Sequence, residues 1–260
     1  MNYAELDALG DGLYDAWRMR KTLAPLTSRV PTLTIDDAYR IQQRMVARRI
    51  EQGEYVIGKK IGVTSKVVQQ MLDVHQPDFG ILLSGMHYED GSAIAMDTLI
   101  QPRAEGEIVF YLKHDLRGPG ITPAQVLAAT ESVAACFEIV DSRIHDWKIR
   151  IQDTVADNAS CGVFVIGTER IDPATLDLAL CEMTIEKNGE IIATGNGAAA
   201  LGHPANAVAW LANELGTRGI SMKAGEPILS GSLAPLIPVV AGDVLSVRIG
   251  GIGSCSVSFI

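Results

Sequence analysis

The chain has 260 residues, 47% of them hydrophobic and 20% charged, which supplies ample core for a folded domain and excludes a disordered or fibrous polypeptide. Its formal net charge of −9 argues against nucleic acid or an anionic membrane surface as partner, although an acidic protein still binds a small anion where a metal and a few Lys or Arg focus positive charge. No apolar run approaches the roughly 20 residues that span a bilayer. The first residues, Met1 to Asp7, lack the apolar core of a signal peptide. Cys136, Cys161, Cys181 and Cys255 match no zinc or CxxC spacing, so buried free thiols in a reducing, cytoplasmic setting are expected.

In chain order, leucines and aromatics at helical spacing predict a helix from Asn2 to about Arg20. A second helix starts at Thr34, with Asp37 three residues on as a variant capping box. Ala38, Ile41 and Met45 give it an apolar stripe, and Gly53 is its expected stop. From Tyr55 the texture becomes short apolar runs between Gly, Pro and Asp clusters, which reads as β structure. Runs at Val56–Val63 and Arg103–Leu112 read as strands. Thr122-Pro-Ala-Gln125 opens a helix that leads into a strand around Glu138. Asn188-Gly189 predicts a hairpin within Leu176–Ala193, Pro204–Leu215 is helical, and short strands rich in Gly and Ser fill Ile228–Ile260. The expected architecture is α+β: a helical segment, 1–54, packed on a mixed-β domain, 55–260. The rhythm is not strict βαβ, and neither GxGxxG before a helix nor a Walker A sequence is present, so a doubly wound nucleotide-binding sheet is not expected. Gly250-Gly251-Ile-Gly253 reads as a turn or bulge in a terminal strand.

Three carboxylates stand out in apolar strands: Glu105 and Glu107 in Arg103-Ala-Glu-Gly-Glu107, and Glu138 in Cys136-Phe-Glu-Ile-Val140. Strand alternation puts Glu105 and Glu107 on one face, about 7 Å apart. A Glu-x-Glu on a strand is usually a solvated face. Here Val109 and Tyr111 continue that face, and Glu138 poses the same burial problem on another strand. A hard divalent ion, Mg2+ or Mn2+, would resolve it and leave open positions for a substrate oxygen.

Gly58-Lys-Lys-Ile-Gly62 places Lys59 and Lys60 on opposite faces of a strand: one solvated, the other turned inward to hold an anion or exchange protons, unless both only guard an edge. His75-Gln-Pro-Asp-Phe-Gly80 reads as a tight loop, where Asp78 is an acid/base group or a turn-capping residue. Asp157-Asn158-Ala-Ser160 is a polar cluster that lines a site or forms an Asx-turn. His145 and His203 read as structural, and no Ser-His-Asp or GxSxG arrangement stands out.

Together, Gly58-Lys-Lys-Ile-Gly-Val-Thr-Ser65, Gln76-Pro-Asp-Phe-Gly80, Arg103-Ala-Glu-Gly-Glu107, Phe137-Glu138, Asp157-Asn-Ala-Ser160, Gly197-Ala-Ala-Ala-Leu-Gly-His-Pro204 and Gly231-Ser232 resemble the 2-hydroxypenta-2,4-dienoate hydratases. These belong to the fumarylacetoacetate hydrolase superfamily, which also holds the 4-oxalocrotonate decarboxylases. The resemblance runs in order from about residue 5 to the C-terminus. It implies a β-sandwich-like catalytic fold, Glu105, Glu107 and Glu138 as ligands of Mg2+ or Mn2+, Lys60 and Asp78 as acid/base groups, and Ser160 with Asn158 near the substrate. It also implies a small enol or oxo carboxylate substrate, a homo-oligomer and association with a pathway enzyme. The implied reaction is ketonisation of the dienol by protonation at C5, then addition of water at C4 and protonation at C3. The decarboxylase shares the carboxylate and lysine sequences. Lys60-Ile-Gly-Val-Thr-Ser65 and Gln76-Pro-Asp-Phe-Gly80 look more like the hydratase forms. A C–C bond hydrolase and a scaffold partner of a pathway enzyme are the weaker readings.

Overall fold

The N-terminal helices begin where their capping residues place them. The computed structural model describes residues 1–260, the side chains of Val67 and Met71 excepted. Helix α1 (Tyr3–Met19) is closed by a reciprocal box between Asn2 and Glu5, and α3 (Ile35–Glu51) by one between Thr34 and Asp37. A single turn, α2 (Leu26–Arg29), lies between them. Gly53 follows α3 at φ +98°, a conformation open to glycine.

Strand β1 (Val56–Gly62), helix α4 (Lys66–Met71) and strand β2 (Asp78–Leu83) come next, then β3 (His87–Glu89), β4 (Ala93–Ile94) and the long β5 (Pro102–Leu112). Helix α5 (Pro123–Ala129) carries the expected Thr122–Gln125 cap and runs into β6 (Thr130–Asp141). Helix α6 (Ile151–Ala156) and β7 (Cys161–Ile166) precede the hairpin β8 (Glu182–Lys187) and β9 (Glu190–Asn196). Helix α7 (Pro204–Thr217), β10 (Pro227–Leu229), β11 (Ile237–Pro238), β12 (Val244–Ile249) and β13 (Gly253–Phe259) complete the chain. The eight-stranded sheet runs β2-β1-β10-β5-β6-β7-β3, with β11 also on β5, and the five-stranded sheet runs β4-β13-β12-β8-β9. This is the α+β architecture expected. The hairpin is narrower at its start than the sequence suggested, because Leu176–Cys181 lie in turns. Helices α2, α4 and α6, of four to six residues, are too short to show a periodic pattern.

Register decides which side chains share a face. Lys60 pairs with Gly80 and Leu229, Gly62 with Asp78, Leu229 with Val109, Glu105 with Glu138, Glu107 with Cys136 and Glu138 with Phe164. With period-two alternation, Lys60, Asp78, Glu105, Glu107 and Glu138 all fall on one face of the large sheet. Farther along, that face turns apolar: Leu82, Val109, Ala134, Cys136, Phe164, Ile166 and Leu229 form a buried cluster. The opposite face, with Ile108, Phe110, Phe137 and Ile139, joins the main core against the second sheet. A Cβ on Gly106, between the two glutamates, would meet Met183 Sδ at 2.7 Å and Val247 Cγ2 at 3.1 Å, so glycine lets the second sheet approach there.

Two sequence readings are corrected here. Strand β1 is not an edge: β2 and β10 flank it, and both lysines are buried. Neither lysine is the solvated one expected: Lys59 is held by Glu226 at 2.7 Å. Nor is the 75–80 stretch a tight loop up to Gly80, because β2 begins at Asp78 and Gly80 lies within the strand. The N-terminal helices buttress that strand. Gln42 donates to the Phe79 and Val155 carbonyls (2.8 and 3.1 Å), and Tyr39 stacks on Phe79 with ring centroids 4.4 Å apart.

Gly80 is small because the Asn158 carbonyl and the Lys60 side chain press against it. An added Cβ would sit 2.7 Å from the Asn158 carbonyl oxygen and 3.2 Å from Lys60 Cε. Gly80→Ala is expected to cost about 1–3 kcal/mol by overpacking, read as a lowered urea midpoint at unchanged slope; an unchanged midpoint would show that the strand absorbs the methyl group.

Candidate active site

The three glutamates converge. Glu105 and Glu138 are direct cross-strand partners, Glu107 follows two residues along β5, and one carboxylate oxygen of each lies within 4.8 Å of the others. Glu107 and Glu138 are fully buried. Glu107 Oε2 accepts the Gly231 N–H at 2.8 Å, but among the described residues Glu107 Oε1 and Glu138 Oε2 have no hydrogen-bond partner, and Glu138 Oε1 has only the Lys60 ammonium beside it. Burial, then the charge of Glu138, pushes the Glu105 carboxyl up to about 8. Burial, then Glu138 and Glu105, raises Glu107 well above its ordinary value. Orphaned acceptors facing one another in a low-dielectric site are costly on their own. A divalent cation removes both the repulsion and the missing donors, and an all-oxygen set suits a hard ion. The residues therefore fit the Mg2+ or Mn2+ expected from the sequence.

Lys60 and Asp78 complete the acidic floor. The Lys60 Nζ lies 3.1 Å from Glu138 Oε1. Burial opposes its charge, yet the carboxylates of Glu138 and Asp78 outweigh this and raise its pKa. Burial pushes Asp78 up to about 6 against the pull of Lys60, and neither of its oxygens has a hydrogen-bond partner. An acid that titrates near neutrality beside a fixed ammonium is suited to passing protons. Gly62 makes room for it, since a Cβ there would lie 2.3 Å from Asp78 Oδ1.

The 157–160 cluster is a strained turn. Asn158, Ala159 and Ser160 all adopt left-handed φ, at 56°, 50° and 53°, each costing of order 1–3 kcal/mol unless the surroundings impose it. The buried Arg143 imposes it. Its Nε pairs with Asp157 Oδ1 at 2.6 Å, and its other nitrogens donate to the carbonyls of Asp141, Asp157 and Cys161. Ser160 is thereby placed on the cleft wall. Asn158 is not. Its Oδ1 accepts from Ile81 N (2.8 Å) and its Nδ2 donates to Ile81 O (2.9 Å), so this amide clamps β2 and does not face the cleft.

The cleft has a volume of about 610 Å³. Lys60, Asp78, Glu105, Thr154, Ser160 and Ser232 form its polar end, and Val63, Val68, Leu72, Ile149 and Leu236 line the apolar remainder. Sequence reasoning missed the Gly231 N–H that fixes Glu107. Its trace was the Gly231-Ser232 pair, where Gly231 at φ +101° packs so close to Thr64 that a Cβ would lie 2.4 Å from the hydroxyl. It also assigned no separate role to Arg103 or Trp147, both on the cleft wall.

Taken together, the fold and the acidic centre define a metal-site lyase or hydrolase scaffold of mixed β topology. The chain belongs to the fumarylacetoacetate hydrolase family: residues 58–259 match the model described as fumarylacetoacetate (FAA) hydrolase C-terminal. It is 62% identical to a 2-hydroxyhexa-2,4-dienoate hydratase of Comamonas testosteroni, over 98% of this chain and 97% of that one. It is 60% identical to a 2-hydroxypent-2,4-dienoate hydratase of Pseudomonas putida, over 85% and 100%. The 4-oxalocrotonate decarboxylase of Pseudomonas putida G7, solved with magnesium and adipate, superposes with a TM-score of 0.97 at 35% identity, covering 100% of this chain and 99% of that one.

The raised carboxylates make metal binding and stability pH-linked. Without metal, Asp78, Glu105 and Glu107 hold their protons to higher pH in the folded than in the unfolded chain, so their contribution to stability falls as pH rises from about 4 towards 8. Metal must displace those protons. The rise in Tm on adding Mg2+ to EDTA-stripped protein is therefore expected to be larger near pH 8 than near pH 5.5, by differential scanning fluorimetry; equal rises at both would contradict proton-coupled binding.

Proposed function

We propose that this chain is a metal-dependent hydro-lyase that hydrates 2-hydroxypenta-2,4-dienoate, through its 2-oxo-3-enoate tautomer, to 4-hydroxy-2-oxopentanoate in the catabolism of aromatic compounds. The observation that carries this is the Glu105–Glu107–Glu138 cluster, with Glu107 and Glu138 fully buried and Glu105 on the cleft wall, beside Lys60 and Asp78, in a chain similar along nearly its whole length to dienoate hydratases. When bound, Mg2+ or Mn2+ supplies a Lewis acid for the C1 and C2 oxygens of the substrate.

The chain's own groups supply the protons. Asp78, raised to about 6, can deliver a proton to C5 as the C2 hydroxyl gives up its own, then take one from the water that adds at C4 and pass it to C3, the proton released from C2 restoring the acid. Lys60, charged and fixed against Glu138, holds negative charge at the substrate oxygen end and orients Asp78. Ser160, on its strained turn, contributes a hydroxyl to the cleft wall for the substrate or the water. The apolar walls limit bulk water, so the water that adds must be a positioned one. The four cysteines are free and buried, which supports a cytoplasmic location. A homo-oligomer and association with a pathway enzyme belong to the same reading.

The decarboxylase is the second reading, favoured by the near-identical fold of the Pseudomonas putida G7 enzyme. The much higher identity to the hydratases supports the first. The test is an ultraviolet assay with 2-hydroxypenta-2,4-dienoate and Mg2+ or Mn2+. Loss of the dienol absorbance, abolished by EDTA, with 4-hydroxy-2-oxopentanoate as product, is expected. No turnover there but CO2 release from 4-oxalocrotonate would replace the hydratase with the decarboxylase. Glu107→Gln is expected to abolish metal-dependent turnover while the protein stays folded. Lys60→Met is expected to lower kcat by about 10²–10⁴-fold, with Mg2+ still bound by calorimetry; near wild-type kcat would remove Lys60 from the mechanism.

A further inference from the structure

We infer that Arg103 is a substrate-binding residue that recognises the carboxylate next to the C2 oxygen, and that Trp147 holds its guanidinium ready for it. This rests on the reading above that the substrate is a 2-hydroxy- or 2-oxo-carboxylate. Arg103 lies two residues before Glu105 on β5, and both line the cleft. Strand alternation puts the two side chains on the same face, about 7 Å apart along the strand.

Six arginines sit over aromatic rings in this protein, and Arg103 differs from the other five. Arg40, Arg48, Arg49 and Arg218 each also pair with a carboxylate. Arg170 donates to the carbonyls of Gly167 and Glu169 and to Tyr111. Arg103 lies 4.7 Å from the centre of the Trp147 ring and has no polar partner among the described residues. Its planar fork of N–H donors, suited to a carboxylate, is uncommitted.

The tryptophan is placed at a cost. Asp146 and Trp147 are consecutive non-glycine residues at φ +55°, and the indole N–H is anchored to the Gln101 carbonyl at 3.1 Å. Strained backbone spent on a platform for one cleft-wall cation points to that cation's use. Charge points the same way. With Glu105, Glu107, Glu138 and Asp78 all ionised, four negative charges face the ammonium of Lys60, and a divalent ion still leaves that set one negative charge in excess. An anionic substrate entering it needs a further cation, and Arg103 is the one the cleft offers besides Lys60.

The test is isothermal titration of oxalate, a minimal ligand with carboxylate oxygens on adjacent carbons, into the Mg2+-loaded protein. Arg103→Met is expected to weaken oxalate binding tenfold or more while Mg2+ binds at least as tightly, Arg103→Lys is expected to recover part of the loss, and KM for the dienoate is expected to rise more than kcat falls. Unchanged oxalate affinity in Arg103→Met would overturn the inference, as would a loss confined to adipate, which would mean that Arg103 reads the far end of a dicarboxylate. If wild-type protein bound neither oxalate nor the dienoate, the functional reading itself would fail, and this inference with it.

Discussion

Three carboxylates forced together on adjacent strands are the constraint on which the site depends. The β5–β6 register leaves them no choice, since pairing Glu105 with Glu138 and advancing two residues to Glu107 brings three carboxylates together, two of them fully buried. Such a cluster is destabilising unless protonated or bound to a cation. Neighbouring features answer the same problem. Lys60 faces Glu138, and Gly231 donates to Glu107. Burial raises the Asp78 carboxyl to about 6, so it adds its full charge to the cluster only above that pH.

Function and packing are bound together through glycine. Gly106 lets the second sheet press against the back of the acidic strand, Gly62 leaves space for the Asp78 carboxylate, and Gly80 leaves it for the Asn158 carbonyl and the Lys60 side chain. Strain concentrates around the cleft. Val63, a β-branched residue at φ +57°, the Asn158–Ser160 turn and the Asp146–Trp147 pair all sit at its rim or wall. The Arg143–Asp157 ion pair, fully dry and satisfied by three carbonyls, holds one of these turns; losing one partner of such a pair costs about 3–5 kcal/mol.

Much of this was legible in the sequence. The capped helices, the Asn188-Gly189 hairpin and the two acidic strands followed from local chemistry, because caps, turns and alternation act within a few residues. Convergence of Glu138 with Glu105 and Glu107 did not follow from local chemistry, since strand pairing is a long-range choice; resemblance supplied it. The burial of Lys59 was misread because its partner, Glu226, lies 167 residues away. Gly80 was read as a turn residue because a glycine that makes room for a neighbouring side chain looks the same in sequence as one that turns the chain. Asn158 was placed at the substrate because Asx residues in polar clusters look alike whether they face a cleft or, as here, clamp a neighbouring strand.

The decisive measurement is anomalous diffraction from a crystal soaked in Mn2+. A single peak bridging carboxylate oxygens of Glu105, Glu107 and Glu138, at about 2.0–2.3 Å from each, is the expected result. Absence of a peak there at saturating Mn2+, with the three carboxyls sharing protons among themselves, would contradict the metal centre and the chemistry built on it.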